Sequence, residues 1–72
     1  MNLIEAWGNY YFKTTDESRY FKISRIFANY CVYENVEDDI NVHIMDGTLE
    51  ECVNYLNELG AVNYDPLAKW HN

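Results

Sequence analysis

Two cysteines, two histidines and twelve carboxylates are the groups in this 72-residue chain whose types could do chemistry. Nucleophilic catalysis needs a thiol or hydroxyl with a base in hydrogen-bond reach. The candidates are Cys31, Cys52, His43 and His71. Cys52 shares a helical stripe with Leu49, Val53, Leu56 and Leu59, and Cys31 sits in the aromatic run NYCVYE. Thiols in such surroundings pack as small apolar groups. His43 alternates with Val42 and Ile44, which sets it on the solvent side of a strand. No C-x-x-C or H-x-x-x-H spacing supports zinc. The acids of VEDDINVHIMDGTLEE suggest an EF-hand, but Gly47 runs straight into a helix cap where a calcium loop needs further oxygen ligands. Gly8, Gly47 and Gly60 are isolated, so there is no glycine-rich phosphate loop. Asp38 and Asp39 are adjacent, yet they fall in a turn, and a chain this short has little room for a deep pocket. The reading is a non-enzyme, with no metal and no cofactor.

The carboxylates fit a different role. Between Tyr33 and Gly60 lie Glu34, Glu37, Asp38, Asp39, Asp46, Glu50, Glu51 and Glu58, with no lysine or arginine among them. The net charge is −7, and the cations Lys13, Arg19, Lys22 and Arg25 stand apart, with Lys69 near the end. No basic patch answers the phosphates of a nucleic acid or the charge of an anionic membrane. The partner that fits is a basic protein, which a complementary field would steer onto the acids. Carboxylates at alternate strand positions are ~6.6 to 7 Å apart. That interval resembles the spacing of backbone phosphates, so these eight residues could fill a nucleic-acid-binding groove on a partner. A plainer alternative is solubility, and Asp46, Glu50 and Glu51 also stand where a helix N-terminus favours negative charge. A binding face and a solubilising surface both fit these residues.

The elements that must position these groups can be read from periodicity. Apolar residues are 49% of the chain, and seven tyrosines, three phenylalanines and two tryptophans supply rings to bury, so this is one folded domain. In DGTLEECVNYLNELG, Thr48 and Glu51 form a capping box and Gly60 supplies a left-handed stop, predicting a helix over roughly 48–59. DINVHIM and NYCVYE alternate as strands joined by NVEDD, and NYYFKT and RYFKIS form another pair around TDES. LIEAW extends the first strand, with Gly8 at a bulge or bend. Residues 18–31 also fit a helical face, although aromatic and β-branched crowding favours strands. The predicted fold is α+β: an antiparallel sheet of three to four strands in two hairpins, followed by one C-terminal amphipathic helix on one face. Residues 1–60 form the compact domain, and 61–72 an irregular tail with a turn at Asp65-Pro66 and Trp70 as an anchor. One helix covers one face, so the other carries tyrosines and self-association follows, most simply as a homodimer through a sheet face or edge. MNLIEAWGNYYFK has no basic start and no small-residue cleavage site, and no apolar run reaches ~20 residues. A cytoplasmic domain is expected.

The whole chain resembles the small acidic proteins with which bacteriophages block host defence, of which anti-CRISPR proteins are the best known. Its length, the stretch ENVEDDINVHIMDGTLEE, the Tyr/Asn-rich strands and the closing GTLEECVNYLNELG carry the likeness, which is one of type. It implies stoichiometric inhibition by binding, often as a dimer, of a nuclease, helicase or other effector in the host cytoplasm. It carries over no catalytic residues. Two further readings stand beside it. One is a homo-oligomeric accessory module with an aromatic and basic interface drawn from Tyr10, Tyr20, Arg19, Lys22, Arg25 and Tyr33. The other is a small-ligand or nucleotide sponge between subunits, using the same cations with stacking from Tyr10, Tyr20 or Trp7.

Overall fold

Alternation of apolar and polar residues fixes the sheet. A computed structural model describes residues 2–68 of the chain. Among these, six strands and one helix form: β1 (Glu5–Ala6), β2 (Asn9–Thr14), β3 (Tyr20–Ile26), β4 (Asn29–Glu37), β5 (Ile40–Gly47), α1 (Leu49–Glu58) and β6 (Ala61–Tyr64). The sheet runs β1-β2-β3-β4-β5 as an antiparallel meander, and β6 also pairs with β2. Tyr10 pairs with Ile23 and Ile23 with Val32, while Phe12 pairs with Phe21, so these side chains share one face. Cys52, Val53 and Leu56 of α1 close over them, and Phe12, Ile23, Val32 and Leu56 are fully buried. This is the face that period-two strands and a 3.6-period helix are bound to bury against each other.

The capping box forms as predicted. Glu51 N–H donates to Thr48 Oγ1 at 3.1 Å, and Thr48 N–H donates to Glu51 Oε1 at 2.9 Å. Gly60 takes a left-handed conformation, φ 84°, after the C-cap Leu59. The helix starts just after Gly47 of β5 and delivers the chain to Ala61, which pairs with Thr14 on the other side of the sheet. It therefore crosses its face diagonally, and the corner around the β4–β5 turn stays bare.

Three expectations are corrected. The sheet has six strands rather than three or four, because LIEAW folds back as a separate β1 instead of extending β2 and residues 61–64 add β6. Trp7 and Gly8, at φ 52° and 79°, make a tight turn that folds Glu5–Ala6 back onto Asn9–Tyr10. The helix is not C-terminal, since residues 61–64 of the expected irregular tail form β6, held by pairs from Tyr11 to Thr14. Residues 18–31, where strands are favoured over a helix, do lie in strands: β3, the turns at its two ends and the start of β4. Trp70, His71 and Lys69 lie outside the described residues.

Candidate functional site

The strand directions sort the turns into two ends of a molecule 35 Å long and 23 Å across. At one end lie the β1–β2 turn with Trp7 and the β3–β4 turn with Phe27. At the other lie the β2–β3 turn, Thr15 to Ser18, and the β4–β5 turn, Asp38-Asp39. The last residue of β4 paired with β3 is Asn35, opposite Tyr20, so the hairpin projects past β3 from Val36 onward. Asn35 fastens this arm, its amide donating to Asp38 O at 2.7 Å and Ile40 O at 3.3 Å. Glu37, Asp38 and Asp39 are exposed on it and enter no ion pair among the described residues. Beside them Val36, Ile40 and Val42 are 54%, 53% and 45% exposed. Three unpaired carboxylates thus stand next to bare apolar surface.

The other predicted acids are dispersed. Glu34 lies on the helix side of β4 and takes a two-point ion pair from Arg19, with Nε to Oε2 and Nη2 to Oε1 both at 2.9 Å. The guanidinium beside it holds its carboxyl below the usual range. Asp46 lies on the open face, where its Oδ1 meets His43 Nε2 at 2.7 Å. Glu50 and Glu51 occupy the first turn of α1, and Glu58 its last residue. The fold brings Glu37, Asp38 and Asp39 together; it does not gather all eight on one face.

The aromatic and basic set also divides between faces. Tyr20, Lys22 and Tyr33 lie on the face away from the helix, whereas Tyr10, Arg19 and Arg25 share the helix side by alternation. On the open face Tyr11 and Tyr20 each meet Tyr64 edge-to-face, with centroids 6.4 and 6.2 Å apart. Lys22 Nζ stands 5.9 Å from the Tyr33 ring and Lys13 Nζ 5.0 Å from that of Tyr64. Tyr11, Tyr20, Lys22, Asn35 and Tyr64 border an open depression of about 300 Å³. The cations proposed for a nucleotide sponge are therefore not one cluster. Cys52 is buried in the core, where desolvation pushes its thiol upward, and Cys31 is buried toward the open face. Among the described residues, no three metal-ligating side chains lie together and no helix is long and apolar enough to cross a membrane.

Two contributors escaped sequence reasoning. Asn63 donates to Tyr11 O at 2.9 Å and accepts from Ile4 N–H at 2.6 Å, tying β6, β2 and the N-terminal segment together. Asp16 Oδ1 accepts from Thr14 Oγ1, Ser18 Oγ and Ser18 N–H, and these bonds lower its carboxyl to about 2. The T-x-D-x-S spacing is a visible signal for that turn, since short polar side chains there bond the local backbone. No protein-family model, curated protein or solved structure matches the chain, so its function has to be read from its own residues.

Proposed function

We propose that the chain is a protein-binding inhibitor that presents the acidic β4–β5 arm to a basic, nucleic-acid-binding partner and occupies it stoichiometrically. One observation carries this reading: Glu37, Asp38 and Asp39 stand unpaired on a projecting hairpin beside bare Val36, Ile40 and Val42. Exposed carboxylates on their own are ordinary surface. Carboxylates beside uncovered aliphatic groups combine a steering charge with area that binding can bury. Between Ile26 and Ala68 the chain has no lysine or arginine, so neither the arm nor β5 carries a cation of its own. The site of action is then the cytoplasm of the cell whose effector is blocked, the host cell for a phage-encoded chain.

The test is capture of a partner from bacterial lysate at low and high salt, using the wild-type chain and a variant with Glu37→Gln, Asp38→Asn and Asp39→Asn. Retention of a basic protein by wild type at low salt, and its loss from the variant, is expected. Equal retention by both would refute the acidic arm as the site.

A second reading rests on the open face, where four tyrosines and two lysines lie opposite the helix-covered side. Such a face would join two copies in a homodimer. Sedimentation would then report a dimer that Tyr20→Lys with Tyr33→Lys converts to monomer. A wild-type monomer at high protein concentration rules this out.

A further inference from the structure

We propose that β5 is a docking edge: an extended basic segment of the partner pairs along it as an added strand. This rests on the acidic-arm reading and specifies how recognition occurs. Among the described residues β5, eight residues long, pairs only with β4, whereas the opposite side of the sheet ends in the two-residue β1 and the four-residue β6. An edge strand offers a row of unpaired N–H and C=O groups, and proteins usually guard it with lysine, proline, a β-bulge or a cover. The sequence INVHIMDG contains neither lysine nor proline. Register shifts with β4 divide β5 but leave Asn41–His43 and Met45–Gly47 in regular pairing, enough to template a neighbour.

The side chains define the occupant. The diagonal course of α1 leaves Ile40 and Val42 uncovered at this edge, so an added strand with apolar residues on the helix side would bury them. Asp38 and Asp39 stand at one end of β5, with Asp46 near the other. A second copy is a poor fit. Antiparallel β5–β5 pairing would set Asp38 and Asp39 of one copy toward Asp46 of its mate, and like charges facing across strands are destabilising. A strand carrying lysine or arginine reverses that sign. Strand addition also separates affinity from specificity, with main-chain bonds supplying the first and side chains the second.

The probe is a capped eight-residue peptide of alternating lysine and valine, added at low salt to the isotopically labelled full chain and followed by amide NMR. A comparison peptide replaces every valine with proline and N-methylates every lysine backbone nitrogen, keeping the charge while removing every backbone N–H donor. With the first peptide, amide shifts and slowed hydrogen exchange are expected across Asn41–Gly47, with at least tenfold weaker binding of the proline peptide. Val42→Lys, at an exposed position, should abolish the response while circular dichroism remains unchanged. Equal binding of both peptides, with shifts confined to Glu37–Asp39, would overturn strand addition and leave the acidic-arm reading intact. No response to either peptide would also overturn strand addition, while the acidic-arm reading would be judged separately by partner capture.

Discussion

The two ends of the sheet solve the same turn problem with opposite chemistry. At the acidic end the left-handed positions are held by Glu17 and Asp38, at φ 58° and 35°. Aspartate tolerates that region, and the Thr14–Asp16–Ser18 bonds and the Asn35 amide fasten the two turns. At the aromatic end the left-handed positions other than Gly8 are Trp7 and Phe27, at φ 52° and 55°. Bulky side chains there cost roughly 1–2 kcal/mol each. Trp7 recovers part of this against Tyr11, at 6.0 Å between centroids. Phe27 is 94% exposed, so burial does not repay its backbone. Turn formation accounts for the residues of the acidic end and does not account for those of the aromatic end.

The largest expected effect separates the ends by binding. Neutralising Glu37, Asp38 and Asp39 together should weaken the basic partner about a hundredfold at low salt, with the melting temperature unchanged. Trp7→Ser with Phe27→Ser should leave that affinity within about twofold, measured on the same sensor surface. An equal loss from both variants would erase the distinction. Next comes the strap between the ends: Asn63→Ala should cost about 1–3 kcal/mol, because it strips bonds from both Ile4 and Tyr11. Urea titration would measure it.

A smaller effect should have the opposite sign. Phe27→Asn relieves a left-handed phenylalanine and should stabilise by about 1 kcal/mol, raising the melting temperature roughly 4–8 °C. Asp38→Asn should change stability by less than about 0.5 kcal/mol, since asparagine tolerates the same region. A destabilised Phe27→Asn would mean that the ring does structural work. The smallest effect concerns pH. The folded carboxyl of Asp16 is near 2 against an ordinary 3.8, so its contribution is complete above about 4 and is lost as pH falls through 2. Asp16→Asn should flatten stability over that window in chemical denaturation at each pH.

Much of the fold was legible in local chemistry. Thr48, Glu51 and Gly60 marked the helix because caps and stops are made by adjacent residues, and Ile40, Val42 and His43 marked β5 by alternation. What was hidden depends on partners far along the chain. AVNYDP reads as a tail until β2 offers it an edge, and LIEAWGN reads as one strand because tryptophan is an unexpected residue at a left-handed turn. The acids were equally plain as a set, but their roles were not. Glu34 leaves the set only because the register of β3 and β4 brings Arg19 to it, and Asp46 because three residues of strand carry His43 back to it. Glu37, Asp38 and Asp39 remain because the arm extends past the last β3 pair at Asn35, and no ion pair reaches them among the described residues.

The most direct test of the acidic arm is competition. The captured partner is titrated with its nucleic acid in the absence and presence of the chain, and the bound species are counted by native mass spectrometry. Mutually exclusive binding, with one chain displacing the nucleic acid and the Glu37, Asp38 and Asp39 amide variant failing to do so, is the predicted result. A ternary complex holding partner, nucleic acid and chain together would contradict it.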